Sequence, residues 1–277
     1  MSVIETLIPP QPAPPEAIKT YTTQRLIGRA LLGVWLAASV GLFLIIVDGW
    51  DPAKFEKYGP SFISGLGVTL LLVACSITLG AALSLPIVFA RMSKNKVLSW
   101  LAYGYVYFFR GTPLITQLFL VYYGLGSFRP ELQSVGLWWF FRDAWNCALL
   151  TFTLNTAAYQ AEILRGAIES VPRGQREGAA ALGLPARIAF FKIILPQAMI
   201  VALRPYGNEI ILMIKGSAIV AIVTVFDLMG ETRRAFSRTF DYQMYIWAAV
   251  LYLVMVEALR NLWVWLEDRL TRHLKRR

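Results

Sequence analysis

Histidine, cysteine and charge are all scarce in this 277-residue chain. It has one histidine, His273, two cysteines, Cys75 and Cys147, and only 16% charged residues. One histidine cannot build a metal site, so His273, set in a basic tail, reads as a solvated residue. Both cysteines lie inside apolar stretches, and their spacing matches neither a disulfide framework nor a zinc site. They read as buried thiols that behave as small apolar residues. No nucleophile–base or metal constellation is present, which argues against an intramembrane enzyme. A G-x4-G-K-[ST] phosphate loop is missing too. Lys215, Gly216 and Ser217 lack the preceding glycine framework, so the chain has no cradle for a nucleotide's phosphates.

Apolar residues are abundant instead: 57% of the chain, with a mean hydropathy of +0.54. A soluble domain is about half apolar and a quarter charged. The apolar residues come in blocks of about 20, the length a helix needs to cross a bilayer core. The runs fall at about 30–47, 61–90, 98–125, 144–168, 193–214 with an apolar extension to Phe226, and 243–266. This pattern predicts an all-α polytopic membrane protein of about six spans. The first run begins too far in, and is too long, for a typical signal peptide, so it reads as an uncleaved span.

Residues 1–24 are polar and proline-rich and are expected to form a disordered cytoplasmic tail. Residues 25–60 read as an extra span with a periplasmic link, 61–266 as the transmembrane domain, and 267–277 as a basic cytoplasmic tail. The formal charge of +10 clusters between the spans, so it reports membrane orientation rather than a nucleic-acid partner. With the N-terminus inside, Lys and Arg favour the inner segments by about two to one, which puts both termini in the cytoplasm. Arg233, Arg234 and Arg238 run against that bias. Either they dock something acidic or they are simply solvated at the outer surface.

The segment 170–196, SVPRGQREGAAALGLPARIAFFKIILP, is too structured for a linker. Ser170 can cap a helix, and Pro172 suits its first turn. Gly183 supplies a terminating position and Pro185 prevents continuation. A second short helix then leads to Pro196 at the membrane surface. The small residues Gly178, Ala179, Ala180 and Ala181 allow another surface to approach the backbone. The result is a helix–turn–helix on the cytoplasmic face.

Glu177, Ala179, Gly183, Ile193, Leu195 and Pro196 carry a family likeness. They resemble the EAA loop, E-A-A-x3-G-x9-I-x-L-P, of permeases of ATP-binding-cassette (ABC) importers, with Gly178 replacing the second Ala. The resemblance runs from about Gly65 to the C-terminus. Segments 108–118, 154–172, 195–198 and 208–219 resemble the polar amino-acid branch, which takes histidine, glutamine, arginine and opines. It implies a five-helix type I core, here with one extra leading span, in a bacterial inner membrane. Also implied are an ABC ATPase dimer gripping Glu177, Gly178, Ala179, Ala180, Gly183, Ile193, Leu195 and Pro196, a second homologous permease, and a periplasmic substrate-binding protein. ATP and magnesium would sit on the ATPase subunits, with no cofactor in this chain.

Polar residues inside spans face a cavity or a partner. Asn155, Tyr159 and Glu162 share one face of the fourth span. Arg204, Asn208 and Lys215 share a face of the fifth, with Glu209 well round from it. Two readings stand: a pathway lined by both signs, suited to an amino acid, or pairs that hold helices together, such as Glu162 with Arg165. Lys215 is expected near the span's outer end, where it can snorkel. Arg110, Gly111 and Pro113 mark a break in the third span, read as a structural or gating element. Trp138, Trp139, Phe140, Phe141, Trp263 and Trp265 read as interfacial belts. An ion-driven transporter is a rival reading, but it predicts inverted repeats, and none is evident. A permease of the same type with another cargo, such as methionine, phosphate or a peptide, is the nearer alternative.

Overall fold

The computed structural model describes residues 22–272. Most of the proline-rich tail, His273 and the last residues of the basic tail lie outside the described residues. Within them every regular element is helical. The chain divides into two compact units, residues 1–50 and 51–277.

The described part of the first unit is one helix, α1 (Thr23–Asp48). Thr22 caps it by accepting a hydrogen bond from the Arg25 N–H, and none of its side chains is buried. The second unit begins with α2 (Pro52–Arg91), capped by Asp51. Then come α3 (Lys96–Gly111), α4 (Leu114–Phe119), α5 (Arg129–Ser134), α6 (Trp138–Phe141) and α7 (Ala144–Ser170). After these are α8 (Arg173–Ala181), α9 (Ala186–Ala189), α10 (Leu195–Ser217), α11 (Leu228–Thr239) and α12 (Gln243–Leu270). Two π turns, Leu120–Gly124 and Phe190–Ile194, extend α4 and α9, and a 3₁₀ turn, Ala218–Val223, extends α10.

Among the described residues, four helical stretches are long and apolar enough to cross a membrane: α1, α2, α12 and the continuous run Ala186–Val223. The helix α7 is not one of them. It carries Asn155, Gln160 and Glu162, and protein surrounds it: Cys147, Phe152, Ala157, Ala158 and Ala161 are wholly buried. It packs mainly against α2 and then α10. Gly80 of α2 makes the first contact close, because a Cβ there would overlap the Thr156 methyl and approach the Ala157 nitrogen. A protein-covered span can be polar, which explains why the apolar criterion passes over it.

The helix α2 is longer than the apolar run of 61–90. It starts at Pro52 and holds both Pro60 and Pro86 in its interior. Pro60 removes a backbone hydrogen bond, yet the helix persists because its first turns are clamped. Tyr58 and Phe62 are buried with Leu228 and Ala235 of α11 and with Met244, Trp247 and Ala248 of α12. A second departure lies at Pro196. No break occurs there. The π turn at Phe190–Ile194 takes up the missing N–H and the ring, and Pro196 sits in the first turn of α10.

Candidate coupling helix and polar clefts

The segment around α8 folds as a compact knob. Ser170 is not its cap; it closes α7, with Oγ donating to the Ala167 carbonyl at 2.8 Å. Pro172 occupies the N-cap position of α8 and gives no side-chain bond. The C-terminus is a Schellman motif. Gly183 has φ of +70°, its N–H donates to Ala180 O at 2.9 Å, and the Leu184 N–H donates to Ala179 O at 3.0 Å. Gly183 is required because this backbone conformation penalises a Cβ. Ala179 faces inward and is buried, whereas Glu177, Gly178, Ala180 and Gly183 are exposed and Leu182 is 79% exposed. Ile193 and Leu195 are half-buried, and Pro196 is exposed.

Two side-chain bonds tie the knob to the spans. Arg176 Nη2 donates to Ile168 O in the last turn of α7 at 3.3 Å. Gln197 of α10 reaches Gln175 of α8, also at 3.3 Å. These bonds join α8 to both α7 and α10.

Those two helices line two adjoining clefts with Tyr159 between them. One, of about 370 Å³, is walled by Arg110, Tyr159, Glu162, Val201 and Pro205. The other, of about 260 Å³, is walled by Pro113, Asn155, Tyr159, Glu209 and Met213. At the first, Glu162 receives Arg91 Nε at 3.1 Å and Arg165 Nη2 at 2.8 Å, with Arg110 Nη1 at 3.9 Å. The Arg110 guanidinium lies 5.2 Å from the centre of the Tyr159 ring. At the second, Glu209 is buried and accepts from Thr156 Oγ1 at 2.9 Å.

The break in the third span joins the same site. The helix α3 ends at Gly111, and α4 restarts at Leu114 with Pro113 as its N-cap. The freed carbonyls are taken up by protein. Gln117 Nε2 lies 2.9 Å from Phe109 O and 2.8 Å from Thr112 Oγ1, and Asn155 Nδ2 reaches Phe109 O at 3.0 Å. Asn155 also donates to Gln117 Oε1 at 2.9 Å. Sequence reasoning missed Gln117, Thr156 and Gln160. The signal was present, since Gln117 is polar within an apolar stretch and Thr156 and Gln160 lie beside Asn155 and Tyr159 on a span.

Asn155, Tyr159, Glu162, Glu209, Arg110 and Pro113 thus converge. Gly111 has open space around its Cα. Asn208 and Lys215 point elsewhere on α10 and are exposed. Asn208 lines a groove between α10 and α12 with Arg204, Arg260 and Glu267. From Lys215 the helical run continues through the 3₁₀ turn to Val223, about 15 Å further. Trp263 faces the protein, where it packs over Gly207 and donates to Leu203 O at 2.8 Å, whereas Trp265 is half exposed.

Residues 82–273 match the model of the binding-protein-dependent transport system inner membrane component family. The chain belongs to this family. It is a permease, a transport subunit of the inner membrane. It is 40% identical over 219 residues to the nopaline transport system permease protein NocM of Agrobacterium fabrum, covering 79% of this chain and 91% of NocM. The arginine ABC transporter permease protein ArtM of Haemophilus influenzae is 37% identical over 202 residues, 73% of this permease and 88% of ArtM. A crystal structure of an amino acid ABC transporter with histidines contains a chain of 36% identity and TM-score 0.71, covering 79% of the permease and 99% of that chain.

Proposed function

We propose that this permease imports a polar amino acid or opine and is driven through α8 by separate ATPase subunits. The observation that carries the reading is mechanical: one rigid, exposed knob is bonded to both helices that line the polar clefts. In this reading both termini and α8 are cytoplasmic, and six spans cross the membrane. ATP and magnesium reside on the ATPase dimer. A second permease and a periplasmic binding protein complete the importer. Glu177, Gly178, Ala179, Ala180 and Gly183 form the face that the ATPase grips, with Ile193, Leu195 and Pro196 at the joint to α10.

The clefts fit the cargo class. An amino acid carries a carboxylate and an ammonium group, and the walls present Arg110 alongside Glu162 and Glu209. Opines and arginine, the substrates in the names of the relatives NocM and ArtM, share those groups. Within this reading Asn155 and Gln117 hold the α3–α4 break, while Tyr159, positioned between the clefts, contacts substrate.

Two substitutions test the coupling. Glu177→Lys reverses an exposed charge without touching the core. Gly183→Asp places a Cβ in the left-handed conformation and costs the motif about 1–2 kcal/mol. Both are expected to leave membrane insertion intact and to abolish substrate-stimulated ATP hydrolysis in the reconstituted complex. Normal stimulation in both variants removes the coupling role from α8.

A further inference from the structure

A further cleft, of about 400 Å³, lies between the π turn Leu120–Gly124 and the short helix α6. Tyr122, Tyr123 and Ser127 line it from the π turn and the turn after it, and Trp138, Phe141 and Arg142 from α6 and its C-cap. π turns inside helices recur at functional sites, and this one brings two tyrosines to the cleft. Their rings meet edge-on, with centroids 4.9 Å apart. Cys147 Sγ donates to Phe141 O at 3.4 Å and so ties α6 to the first turn of α7. The sequence offered Trp138, Trp139, Phe140 and Phe141 as one interfacial belt. The structure divides them: Trp138 and Phe141 are half-buried in the cleft, whereas Trp139 is 62% exposed and lies outside it.

The charges here differ from those of the two polar clefts. Arg142 is exposed, and its guanidinium bonds no described residue. Arg129 places a second guanidinium 5.2 Å from the centre of the Trp138 ring. Among the described residues no carboxylate lines this cleft, whereas Arg110 stands beside Glu162 in the polar one. The two places share a helical run. Pro113, the N-cap of α4, walls the polar cleft, and Tyr122 is nine residues further on, about 13 Å by helical rise. Asp143, next to Arg142, caps α7, so the aromatic cleft sits at the start of that helix. The α8 knob follows its far end, 27 residues or about 40 Å away. In the importer reading this is the outer end, where the cargo arrives.

We propose that the aromatic cleft is an outer holding site for the cargo, in which Arg142 takes the carboxylate and the Tyr122 and Trp138 rings take the rest of the molecule. The site presupposes the importer reading above and adds a second station to that pathway. A guanidinium and a carboxylate form charge-assisted, often bidentate bonds. Aromatic faces accept both aliphatic and cationic side chains. An exposed ion pair is weak, which suits a station that must pass its cargo on. Cargo released at the outer surface is kept beside the bundle, one short helical run from the polar cleft, instead of diffusing away.

The test uses the whole complex in proteoliposomes with its binding protein, and radiolabelled L-arginine, L-histidine, L-glutamine and nopaline as probes. Import and ATP hydrolysis are measured together. Arg142→Gln and Trp138→Leu are each expected to lower the cargo imported per ATP about fivefold, because unheld cargo escapes outwards while the ATPase cycle still runs. Substrate-stimulated hydrolysis is expected to stay within about twofold of wild type, since both changes lie far from α8. Arg142→Lys, which keeps the charge, is expected to recover most of the lost import. Trp139→Leu, outside the cleft, is expected to change neither quantity. An unchanged ratio in both cleft variants overturns the holding site. So does a parallel fall of import and hydrolysis, the mark of a fold defect or of lost docking by the binding protein. An equal effect of Trp139→Leu also overturns it and assigns the surface to lipid. A wild-type complex whose hydrolysis none of the four probes stimulates sinks the importer reading itself, whereas the other adverse outcomes sink only this site.

Discussion

Gln117 shows how much one side chain can hold. Its amide donates to Phe109 O and Thr112 Oγ1 and accepts from Asn155. Pro113 has no N–H, so the chain around it cannot satisfy these groups by helix alone. In a membrane, irregular backbone persists only where protein or water repays it. Gln117→Leu keeps the volume and removes the partners. Each buried polar group left unpaired costs about 1–3 kcal/mol. The variant permease is expected to denature at a lower temperature in detergent, by several degrees, as read by loss of the monodisperse peak after heating. An unshifted Gln117→Leu midpoint contradicts the role given to this residue.

Among the elements, the contact of α2 with the turn before α12 invites a pH test. Lys54 Nζ meets Asp241 Oδ2 at 2.6 Å, and the Gln243 N–H donates to Asp241 Oδ1 at 2.9 Å. The bond from Lys54, and then that from the Gln243 N–H, hold the Asp241 carboxyl below its usual range. A carboxyl with a depressed folded value contributes stability that is fully present above the unfolded value of about 3.9 and is lost as pH falls through the folded value. The wild-type permease is thus expected to lose thermal stability between pH 5 and acid more steeply than Asp241→Asn. The two should differ at pH 7 and converge at low pH. Parallel pH profiles, measured by scanning fluorimetry on protein in lipid nanodiscs, rule the clasp out. The same scale explains the long α2: Tyr58 and Phe62 anchor its first turns against α11 and α12, so Pro60 does not end it.

At the scale of the whole molecule, α8 and the turn before α12 lie at opposite ends of the bundle, and the importer reading assigns them to opposite sides of the membrane. Single cysteines at Leu182 and Tyr242, which are 79% and 73% exposed, test this in a background with Cys75 and Cys147 replaced by alanine. A membrane-impermeant maleimide applied outside the cytoplasmic membrane is expected to label the Tyr242→Cys protein and spare the Leu182→Cys protein until the membrane is opened. The reverse pattern excludes a cytoplasmic knob and with it the ATPase coupling.

The sequence alone determined what depends on local rules. Apolar runs of about span length marked the membrane helices. The left-handed demand at Gly183 and the block at Pro185 marked the end of α8. The spacing from Glu177 to Pro196 marked the family. Glu162 and Arg165 paired as their i, i+3 interval requires. Tertiary structure decided whatever depends on what stands opposite. Periodicity placed Asn155 and Glu162 on one face, but only packing gave Asn155 to the α3–α4 break and Glu162 to Arg91, which is 71 residues away in sequence. It also set Asn208 and Glu209, adjacent in the chain, on different surfaces of α10, one in the groove and one in the cleft. A helical repeat fixes the angle between two side chains, whereas the identity of the neighbour at that angle belongs to the assembled bundle.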